Sequence, residues 1–526
     1  MFDILIRGTQ VVDGSGKPPF TADIGIESDT IAAIGELSAA EARTTIEAGG
    51  LMATPGFIDM HAHSDWTLPG NRRAESKIRQ GVTTEVIGMC GSSPAPLPSD
   101  PDRRKQVIAE ASADQPWLTW EWNSFGEYLD HLREGVAVNV VPVVGHGTLR
   151  VAAMGWEDRP PRPEEMTMME DLLAQAMQEG AFGMSTGLIY PPGCYADTQE
   201  IIRLARVVAR HSGLYFSHIR GEGATLLDAI REVIEIAEKA GLPAQIAHFK
   251  SAGRPYWHQL PEAINLVEQA RARGLDITAD RYPYIASSTS LGAFLPHWAH
   301  EGGRPQLLER LADPTTRSHI RQEVVADMEG LTWQDVMISS CPARPIYEGC
   351  TIEQLAEEQG KEPVDVVLDL LLEAEGEVSM IEFSMSEDNL RQVLRLPWVM
   401  IGSDGSSLTP HGEMGKGKEH PRSYGAFPRF LGRYVREEGL LTWPEAVRKI
   451  TALPAERLGL WDRGQLKVGK KADIVLLDSE RVVDRATFVQ PYQYPEGIEY
   501  VLVNGRVVIE RGEHTGALPG EVLERR

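Results

Sequence analysis

The sequence predicts an α/β protein in which a (β/α)8 TIM-like barrel is joined to a small β-sandwich formed by the two ends of the chain. Three observations predict this fold: alternating β segments at both ends, eight apolar runs between them, and a length of 526 residues. A chain of that length exceeds the size at which one core usually keeps growing, so we expect a large domain that carries a smaller module.

Both ends of the chain are rich in β-strand patterns. The segments DILIRGTQVVDGSG and ADIGIESDTIAAIG near the N-terminus alternate apolar and polar residues between glycine turns, and ADIVLLD and YVLVNGRVVIERG near the C-terminus repeat the style. We therefore expect residues 1–54 and 465–526 to form one composite β-sandwich.

The middle of the chain alternates strand-like and helix-like segments. Helical segments such as PEEMTMMEDLLAQAMQEG place apolar residues three and four positions apart. The strand-like segments are GFIDMHAHSD, TTEVIGMCG, VNVVPVVGHG, GAFGMSTGLIY, GLYFSHIR, PAQIAHFK, LDITADRYPY and WVMIGSDG. Eight βα units favour a closed barrel over residues 55–464. The gap before the last run exceeds one helix, so residues 292–350 are predicted to be an insertion that covers the mouth of the barrel.

The chain is acidic, with 52 Lys+Arg residues against 76 Asp+Glu residues and a formal net charge of −24. This charge repels nucleic acid and anionic membranes, so neither is expected as a partner. No signal-peptide pattern or membrane-length apolar stretch is present, and we expect a cytoplasmic protein. The four scattered cysteines are too few for a disulfide framework, which favours a thiolate role for any functional cysteine. The oligomeric state is not predicted.

His61 and His63 end the first apolar run and form the strongest single motif. In a strand, residues i and i+2 point to the same face, so both imidazoles are expected to face the barrel interior at its C-terminal rim. This is the arrangement of two metal ligands. Two polar histidines without a metal are an equally simple interpretation of the motif alone.

Four further residues with ligand chemistry end other predicted strands: Cys90, His218, His248 and Asp404. Cysteine and histidine together suit Zn²⁺, which binds both in a tetrahedral set that leaves one position open. A structural role is an equal alternative for any one of these residues, but their convergence at strand ends predicts a zinc site. His146, in VVGHGTLR, lies at the same rim without an evident role.

The order of these motifs along the chain resembles the amidohydrolase superfamily, in which HxH follows the first barrel strand, histidines end the fifth and sixth, and an aspartate ends the eighth. Within it, the segments GMCG, STGLIYPPG, SHIR, HFK, DRYPY, SDG and HPRSYGAFPRFLGRYV resemble the D-aminoacylases, or N-acyl-D-amino-acid deacylases. The fourth strand lacks the bridging carboxylated lysine of many binuclear members, and Cys90 takes its place, as in the D-aminoacylases.

The resemblance implies a tightly held Zn²⁺ on Cys90, His218 and His248, and a second, weaker site on His61, His63 and Asp404. It also implies hydrolysis of the amide of N-acyl-D-amino acids. Asp404 is expected to act as general base towards water and then to protonate the leaving amine. A purely ligating role at the second site is the alternative for Asp404, and the two roles can coexist.

The resemblance implies that the substrate carboxylate is bound by Lys250, Tyr282 and Arg422, with Tyr190 and a hydroxyl of Ser287 or Ser288 completing the pocket. Lys250 is expected on the same face as His248, and a guanidinium matches a carboxylate with two parallel hydrogen bonds. Ordinary surface ion pairs are the alternative for both cations. The segment SLGAFLPHWAH lacks the arginine expected in members that act on acidic D-residues, so hydrophobic side chains are predicted for the substrate.

Three other functions stay open on the sequence. A related hydrolase of a cyclic amide or a dipeptide is one, although Lys250 with Arg422 favours a linear substrate with a free carboxylate. A deaminase is another, which Cys90 and the HPR segment disfavour. A non-catalytic scaffold is the third, and such a relative is expected to lose metal ligands, whereas all six are present here.

Overall fold

The protein, seen in a computed structural model, is a mixed α/β molecule, and the structure describes residues 1–328 and 330–525. The N-terminal strands are β1 (Phe2–Val11), β2 (Phe20–Glu27), β3 (Thr30–Gly35), β4 (Ala42–Glu47) and β5 (Met52–Pro55). The strands of the middle are β6 (Phe57–Asp59), β7 (Val82–Ile87), β8 (Asn139–Pro142), β9 (Val144–Gly145), β10 (Gly183–Gly187), β11 (Leu214–His218), β12 (Ala244–Ile246) and β13 (Ile277–Arg281). The remaining strands are β14 (Ser287–Ser290), β15 (Val336–Ser340), β16 (Ser379–Glu382), β17 (Val399–Ile401), β18 (Ile474–Leu477), β19 (Ile498–Val503), β20 (Arg506–Glu510) and β21 (Glu513–His514).

Helices separate most of these strands. The first group is α1 (Glu75–Ile78), α2 (Pro101–Asp114), α3 (Phe125–Arg133), α4 (His146–Met154), α5 (Pro163–Gln178), α6 (Thr198–Arg210), α7 (Leu226–Ala240) and α8 (Leu260–Ala272). The second is α9 (Arg304–Ala312), α10 (Pro314–Ala326), α11 (Ile352–Gln359), α12 (Pro363–Glu373), α13 (Glu387–Arg395), α14 (Arg422–Arg429), α15 (Trp443–Ile450) and α16 (Ala452–Leu458). Among the described residues, none of the helices is both long and apolar enough to cross a membrane.

The two ends of the chain pair in one sheet, as their strand patterns indicate. The order of its strands is β21-β20-β19-β18-β5-β1-β2-β3, with β4 also paired to β1. The junction between the two ends is the antiparallel pair β5 and β18, in which Ala53 lies opposite Leu476. Buried isoleucines such as Ile24, Ile31 and Ile474 form a core for this sheet, so the N-terminal segment depends on residues more than 400 positions away for its packing.

The strands of the middle are parallel and follow one another in a cyclic order. Strands β6, β7 and β8 pair side by side, as do β9, β10, β11, β12, β13 and β17. Val143 alone separates β8 from β9, and the Met60 N–H donates to the Ile401 carbonyl across 3.3 Å, which links the first parallel strand to the last. Each of the eight apolar runs therefore contains a parallel strand. Because the strands are parallel, the loops after them meet at one rim.

The helices between these strands have the apolar spacing that the sequence indicates. In α7 the residues Leu226, Ile230 and Val233 are buried, while charged residues occupy the opposite face. Asp197 caps α6 by accepting a hydrogen bond from the Glu200 N–H, which fixes where the helix begins after the β10 loop. Such local signals set the lengths of the loops that carry the polar residues of the rim.

A separate region, residues 287–382, lies between β13 and β17, and we call it the roof region. It contains the antiparallel sheet β14-β16-β15 and helices α9 to α12, and its buried side chains form a core of their own between Leu291 and Met380. The predicted insertion, residues 292–350, lies inside this region, which continues to the end of β16. Tyr195 donates a hydrogen bond to the His297 carbonyl, and Gly302 to the Trp156 carbonyl, so the region is anchored over the loops that follow β9 and β10.

Candidate metal and substrate site

His61 and His63 lie just beyond β6, which ends at Asp59. The backbone pairing continues beyond the strand, since Ala62 between them pairs in parallel with Gly405 and donates to the Val86 carbonyl at 2.9 Å. The loop that follows β17 lies beside both histidines. The Asp404 N–H donates to the His61 carbonyl at 2.7 Å, and the His63 N–H donates to the Gly405 carbonyl at 3.0 Å. These backbone hydrogen bonds bring both imidazoles beside the Asp404 carboxylate.

Asp404 and the two histidines form one cluster of potential ligand atoms with Cys90. Oδ1 of Asp404 lies 3.0 Å from His63 Nε2 and 3.2 Å from His61 Nε2. Cys90 Sγ lies 3.3 Å from His61 Nε2. The ligand atoms of the four residues lie within 4.8 Å of one another, which is the spread expected of groups that hold one ion.

Cys90 also belongs to a second cluster, with His218 and His248. Its Sγ lies 3.4 Å from His218 Nδ1 and 3.8 Å from His248 Nε2, and those two nitrogens are 3.0 Å apart. Burial raises the pKa of the Cys90 thiol, but the imidazoles of His61 and His218 have the larger combined effect and lower the pKa to well below its usual range. The thiolate needed for metal ligation is therefore the favoured form.

The backbone is strained at three of these positions. Cys90, His248 and Asp404 have φ angles of 54°, 35° and 54°, in the left-handed region that non-glycine residues rarely adopt. Such conformations persist where the surroundings impose them, and they concentrate at functional sites. Gly187 is one such constraint: a Cβ there would lie 2.1 Å from the Cys90 carbonyl oxygen, so only glycine lets β10 approach the Cys90 turn.

Asp280, on β13, positions two of the histidines and was not singled out in the sequence. Its Oδ1 lies 3.1 Å from His61 Nδ1 and accepts a hydrogen bond from the His248 N–H at 2.8 Å. A carboxylate on the far nitrogen of a ligating histidine fixes the orientation of the ring. The DRYPY motif contained the signal, an acidic residue at the end of a parallel strand.

Asp59 is a second overlooked carboxylate, and it ties β6 to the loop of Asp404. It accepts hydrogen bonds from the N–H groups of His61 and Ser403, and it pairs with Lys77 Nζ at 2.8 Å. Asp59 and Lys77 are both completely buried. The buried ion pair and these hydrogen bonds hold β6 and the loop of Asp404 in a single arrangement.

Glu222 is a third carboxylate that sequence reasoning missed. It lies in the loop after β11, and its Oε1 is 2.9 Å from His248 Nδ1 and accepts a hydrogen bond from Lys250 Nζ. Lys250 Nζ is also 2.8 Å from His248 Nδ1. Lys250, which is predicted to bind the substrate carboxylate, thus lies beside His248 as expected. Its ammonium group is already paired with Glu222.

Arg422 is likewise paired. Its Nη1 donates to Asp404 Oδ2 at 2.6 Å and its Nη2 to the Ser288 carbonyl at 3.3 Å. Burial raises the pKa of Asp404, but the neighbouring Arg422 guanidinium and His61 imidazole lower it to well below its usual range. The guanidinium carbon also lies 5.0 Å from the centre of the Tyr282 ring. Arg422, Asp404, Ser288 and Tyr282 are therefore contiguous.

The other predicted substrate residues line the same cavity, which has a volume of about 1500 Å³. Tyr190 packs edge-on against His218 and accepts a hydrogen bond from the Thr289 hydroxyl at 3.1 Å. Ser287 lines the cavity beside Ser288 on β14. His146 does not join the clusters of potential ligands: its Nε2 lies 2.8 Å from Glu200 in a buried network.

Comparison with known proteins identifies the chain's relatives. The model of the amidohydrolase family matches residues 44–509. D-aminoacylase from Alcaligenes xylosoxydans xylosoxydans is 38% identical over 526 residues, which is 100% of this chain and 98% of that protein. The chain belongs to the amidohydrolase family. The resemblance of its motifs to the D-aminoacylases is thereby confirmed.

Solved structures of amidohydrolases extend this likeness to three dimensions. A D-aminoacylase structure, described as having a binuclear metal centre with one-metal activation and second-metal attenuation, has a TM-score of 0.83 at 36% identity. N-acyl-D-glutamate deacylase from Bordetella bronchiseptica, complexed with zinc and a phosphonate inhibitor, has a TM-score of 0.84 at 33% identity. Both comparisons cover 100% of this chain and 100% of the other.

Proposed function

We propose that this amidohydrolase is a zinc-dependent N-acyl-D-amino-acid deacylase that releases a carboxylate and a free D-amino acid. The observation that carries the proposal is the pair of potential ligand clusters sharing Cys90, in a chain that is similar along its whole length to a D-aminoacylase. Lys250 and Arg422 suit a linear substrate with a free α-carboxylate, which disfavours a ring-deamination substrate and a cyclic amide without a carboxylate.

The fold that we propose is a (β/α)8 barrel over residues 55–464 with a composite β-sandwich of residues 1–54 and 465–526. The cyclic order of the parallel strands and the β5–β18 pairing support it. The barrel brings the loops after its strands to one rim, where an active site of this architecture lies. A cytoplasmic location and the lack of nucleic-acid or membrane partners stay predictions from the charge.

The side chains present fit zinc. One thiolate and two imidazoles, from Cys90, His218 and His248, form a donor set that this ion prefers, and their Sγ, Nδ1 and Nε2 atoms lie 3.0 to 3.8 Å from one another. We assign the tight site to these three residues. The weaker site is assigned to His61, His63 and Asp404.

Asp404 is proposed to move the protons of the reaction. When bound, the metal supplies Lewis acidity, which polarises the amide carbonyl and makes water a better nucleophile. The Asp404 carboxylate takes a proton from the attacking water as its oxygen bonds to the acyl carbon. It then gives that proton to the amide nitrogen as the C–N bond breaks. The second proton of the water passes from the new carboxylic acid to the amine, so the products are a carboxylate and the ammonium form of the amino acid.

Arg422 and Lys250 are proposed to bind the substrate α-carboxylate, with Tyr282 between them. The two cations lie over the Tyr282 ring, at 5.0 and 5.7 Å from its centre. A substrate carboxylate placed there takes up hydrogen bonds that Asp404 and Glu222 accept in the free protein. Tyr190 and the hydroxyls of Ser287 and Ser288 complete the pocket, and they orient the amide over the metal ligands.

The substrate side chain is proposed to be hydrophobic. The segment SLGAFLPHWAH, residues 290–300, contributes Ala293, Leu295 and Trp298 to the cavity wall and contains no arginine. Burial of an acidic side chain against these apolar residues is costly unless its charge is paired. N-acyl derivatives of D-leucine, D-methionine and D-phenylalanine are therefore the expected substrates.

Primary-amine release from matched N-acetyl-D- and N-acetyl-L-amino acids tests the proposal, with zinc-loaded protein and a chelator-treated control. Release from the D-series alone, lost on chelation and restored by zinc, is the expected result. Activity on a cyclic amide with none on any linear N-acyl amino acid would overturn it. Ammonia release from a ring substrate would identify a deaminase instead.

A further inference from the structure

The cavity that holds the two clusters of potential ligands extends well beyond them. Its volume of about 1500 Å³ is larger than the roughly 300–1,000 Å³ of pockets that enclose a drug-sized ligand. An N-acetylated amino acid is smaller than such a ligand. Most of the cavity is therefore left for a part of the substrate that an acetyl group does not represent.

The additional space is lined by apolar side chains from the loops after β7 and β9 and from the roof region, together with charged side chains such as Glu110, Asp158 and Asp327. Leu97 and Val107 lie on the chain that follows β7, Val151 and Trp156 on and after α4, and Phe294 and Leu331 on the roof. Except for Leu97, these side chains are only half-buried. Half-buried apolar side chains that face one another across a cavity gain free energy when an apolar group displaces the water between them.

We call this additional part of the cavity the channel. Its direction from the proposed carboxylate site distinguishes the two halves of the substrate. In the cyclic order of the strands, the residues proposed to bind the carboxylate follow β12, β13 and β17, whereas the apolar walls follow β7 and β9, across the rim. The α-carboxylate and the side chain both belong to the amine half of the amide. With the carboxylate at Lys250 and Arg422, the acyl half extends towards the apolar walls.

The roof over the channel is anchored. The Gly302 N–H donates to the Trp156 carbonyl at 3.0 Å, and the Tyr195 hydroxyl donates to the His297 carbonyl at 2.8 Å. Phe294 and Leu331 line the same cavity as Val107 and Val151. An extended chain of methylene groups fits such a space, since it needs no hydrogen-bond partner along its length.

From this geometry we infer that the channel binds a medium or long acyl chain, so that N-acyl-D-amino acids with acyl groups of about six to twelve carbons are better substrates than N-acetyl ones. The inference rests on the proposed deacylase function. It adds the chemical class of the acyl group, which the sequence leaves open.

Steady-state kinetics on N-acetyl-, N-hexanoyl- and N-decanoyl-D-leucine test the inference. The expected result is a rise in kcat/KM of roughly two- to fourfold per added methylene until the channel is filled. N-acetyl-D-amino acids with lengthened side chains serve as the comparison series. A kcat/KM that is independent of acyl length, or that follows side-chain length instead, overturns the channel assignment while the deacylase function stands.

Variants on one helix separate the channel from general effects. Val107→Asp places a charge in the channel and is expected to lower the decanoyl-to-acetyl ratio of kcat/KM at least about tenfold without changing acetyl activity. Ala109→Asp puts the same charge on the exposed face of α2 and leaves the ratio unchanged. If Val107→Asp does not fold, Leu331→Asp on the roof tests the same ratio, and an unaltered ratio in the folded variant counts against the channel.

If no N-acyl-amino acid is hydrolysed, the deacylase function is overturned. Calorimetric measurement of free decanoate binding then tests the channel independently of catalysis. Decanoate is expected to bind at least about tenfold more tightly than hexanoate, and Val107→Asp to remove the difference. Equal or undetectable binding of both fatty acids overturns the channel as well.

Discussion

Arg422 donates from Nη1 to Oδ2 of Asp404 across 2.6 Å, and both side chains are almost completely buried. The residue proposed to bind the substrate carboxylate is thus already neutralised by the residue proposed to move protons. A substrate carboxylate that enters beside Arg422 competes with Asp404 for the guanidinium. Substrate binding then leaves Asp404 with one partner fewer and frees it for the attacking water.

Replacement of Arg422 by Gln is expected to lower kcat/KM for N-acetyl-D-leucine roughly 100-fold, because loss of one partner of a buried charged pair leaves the other without compensation. The decisive comparison uses N-acetyl-D-leucinamide, which has no carboxylate. Wild-type protein should strongly prefer the acid, and Arg422→Gln should lower the ratio of acid to amide at least about tenfold, with Lys250 retaining part of the preference. A ratio that is unchanged in the variant would assign Arg422 to Asp404 alone.

Of the residues that the structure describes, Cys90 alone belongs to both clusters of potential ligands. Its replacement by Ala should remove the thiolate ligand of the proposed tight site and the thiolate beside the proposed weaker site. We therefore expect zinc content after dialysis to fall from at least one ion per chain to a small fraction. Elemental analysis with parallel circular dichroism checks this. Cys350→Ala, a half-buried cysteine of the roof region, is the matched control and should retain its zinc. Full zinc occupancy of folded Cys90→Ala would contradict the assignment.

Glu222 contacts two residues of the site at once. Its carboxylate accepts from Lys250 and faces His248 Nδ1 at 2.9 Å, so Glu222→Gln should loosen both the ring of a proposed ligand and a proposed carboxylate contact. Loss of such an outer partner typically costs 10- to 100-fold in metal affinity or activity. We expect a fall in zinc affinity by competition with a chelator, accompanied by a higher KM.

The control for Glu222 is Glu170→Gln, which removes an ion pair with Arg203 between α5 and α6, and neither residue lines the cavity. That variant should keep the wild-type zinc affinity. If the two variants behave alike, the role of Glu222 is merely structural.

The sequence contained enough to predict the two clusters of potential ligands but not the residues that contact them. His61, Cys90, His218 and His248 lie at the ends of apolar runs, and the carboxyl ends of parallel barrel strands meet at one rim. Residue type and position along the chain were therefore sufficient for the candidate cluster.

The supporting contacts depend on features that one-dimensional spacing does not carry. Whether Glu222 reaches Lys250, or Arg422 reaches Asp404, depends on side-chain torsions and on loops of different length meeting in space. His61 and His63 illustrate the limit: backbone hydrogen bonds with the loop of Asp404, which spacing does not reveal, bring the two imidazoles beside that carboxylate. Asp280 and Asp59 were recognisable only as acidic residues in buried strands.

Glu85, on β7 beneath the rim, predicts how the stability of the protein changes with pH. Its side chain is completely buried, and burial raises its pKa from 4.5 to about 7, against the opposing effect of Lys77. In the unfolded chain the carboxyl ionises at lower pH than in the folded protein. The unfolded state therefore binds fewer protons between these two pKa values, and the free energy of unfolding falls as pH rises through this interval, then levels off above it.

Glu85→Gln keeps the shape of the side chain and removes the titration. Relative to wild type, its free energy of unfolding should increase by about 2 to 3 kcal/mol between about pH 5 and about pH 8, because one pKa unit corresponds to about 1.4 kcal/mol. Urea unfolding of zinc-loaded protein at the two pH values measures the difference. Glu238→Gln, on the exposed face of α7, controls for the loss of one negative charge and should show no such pH dependence. Parallel pH profiles for wild type and Glu85→Gln would mean that Glu85 ionises in the folded protein as readily as in the unfolded chain, with a cation or water compensating its burial.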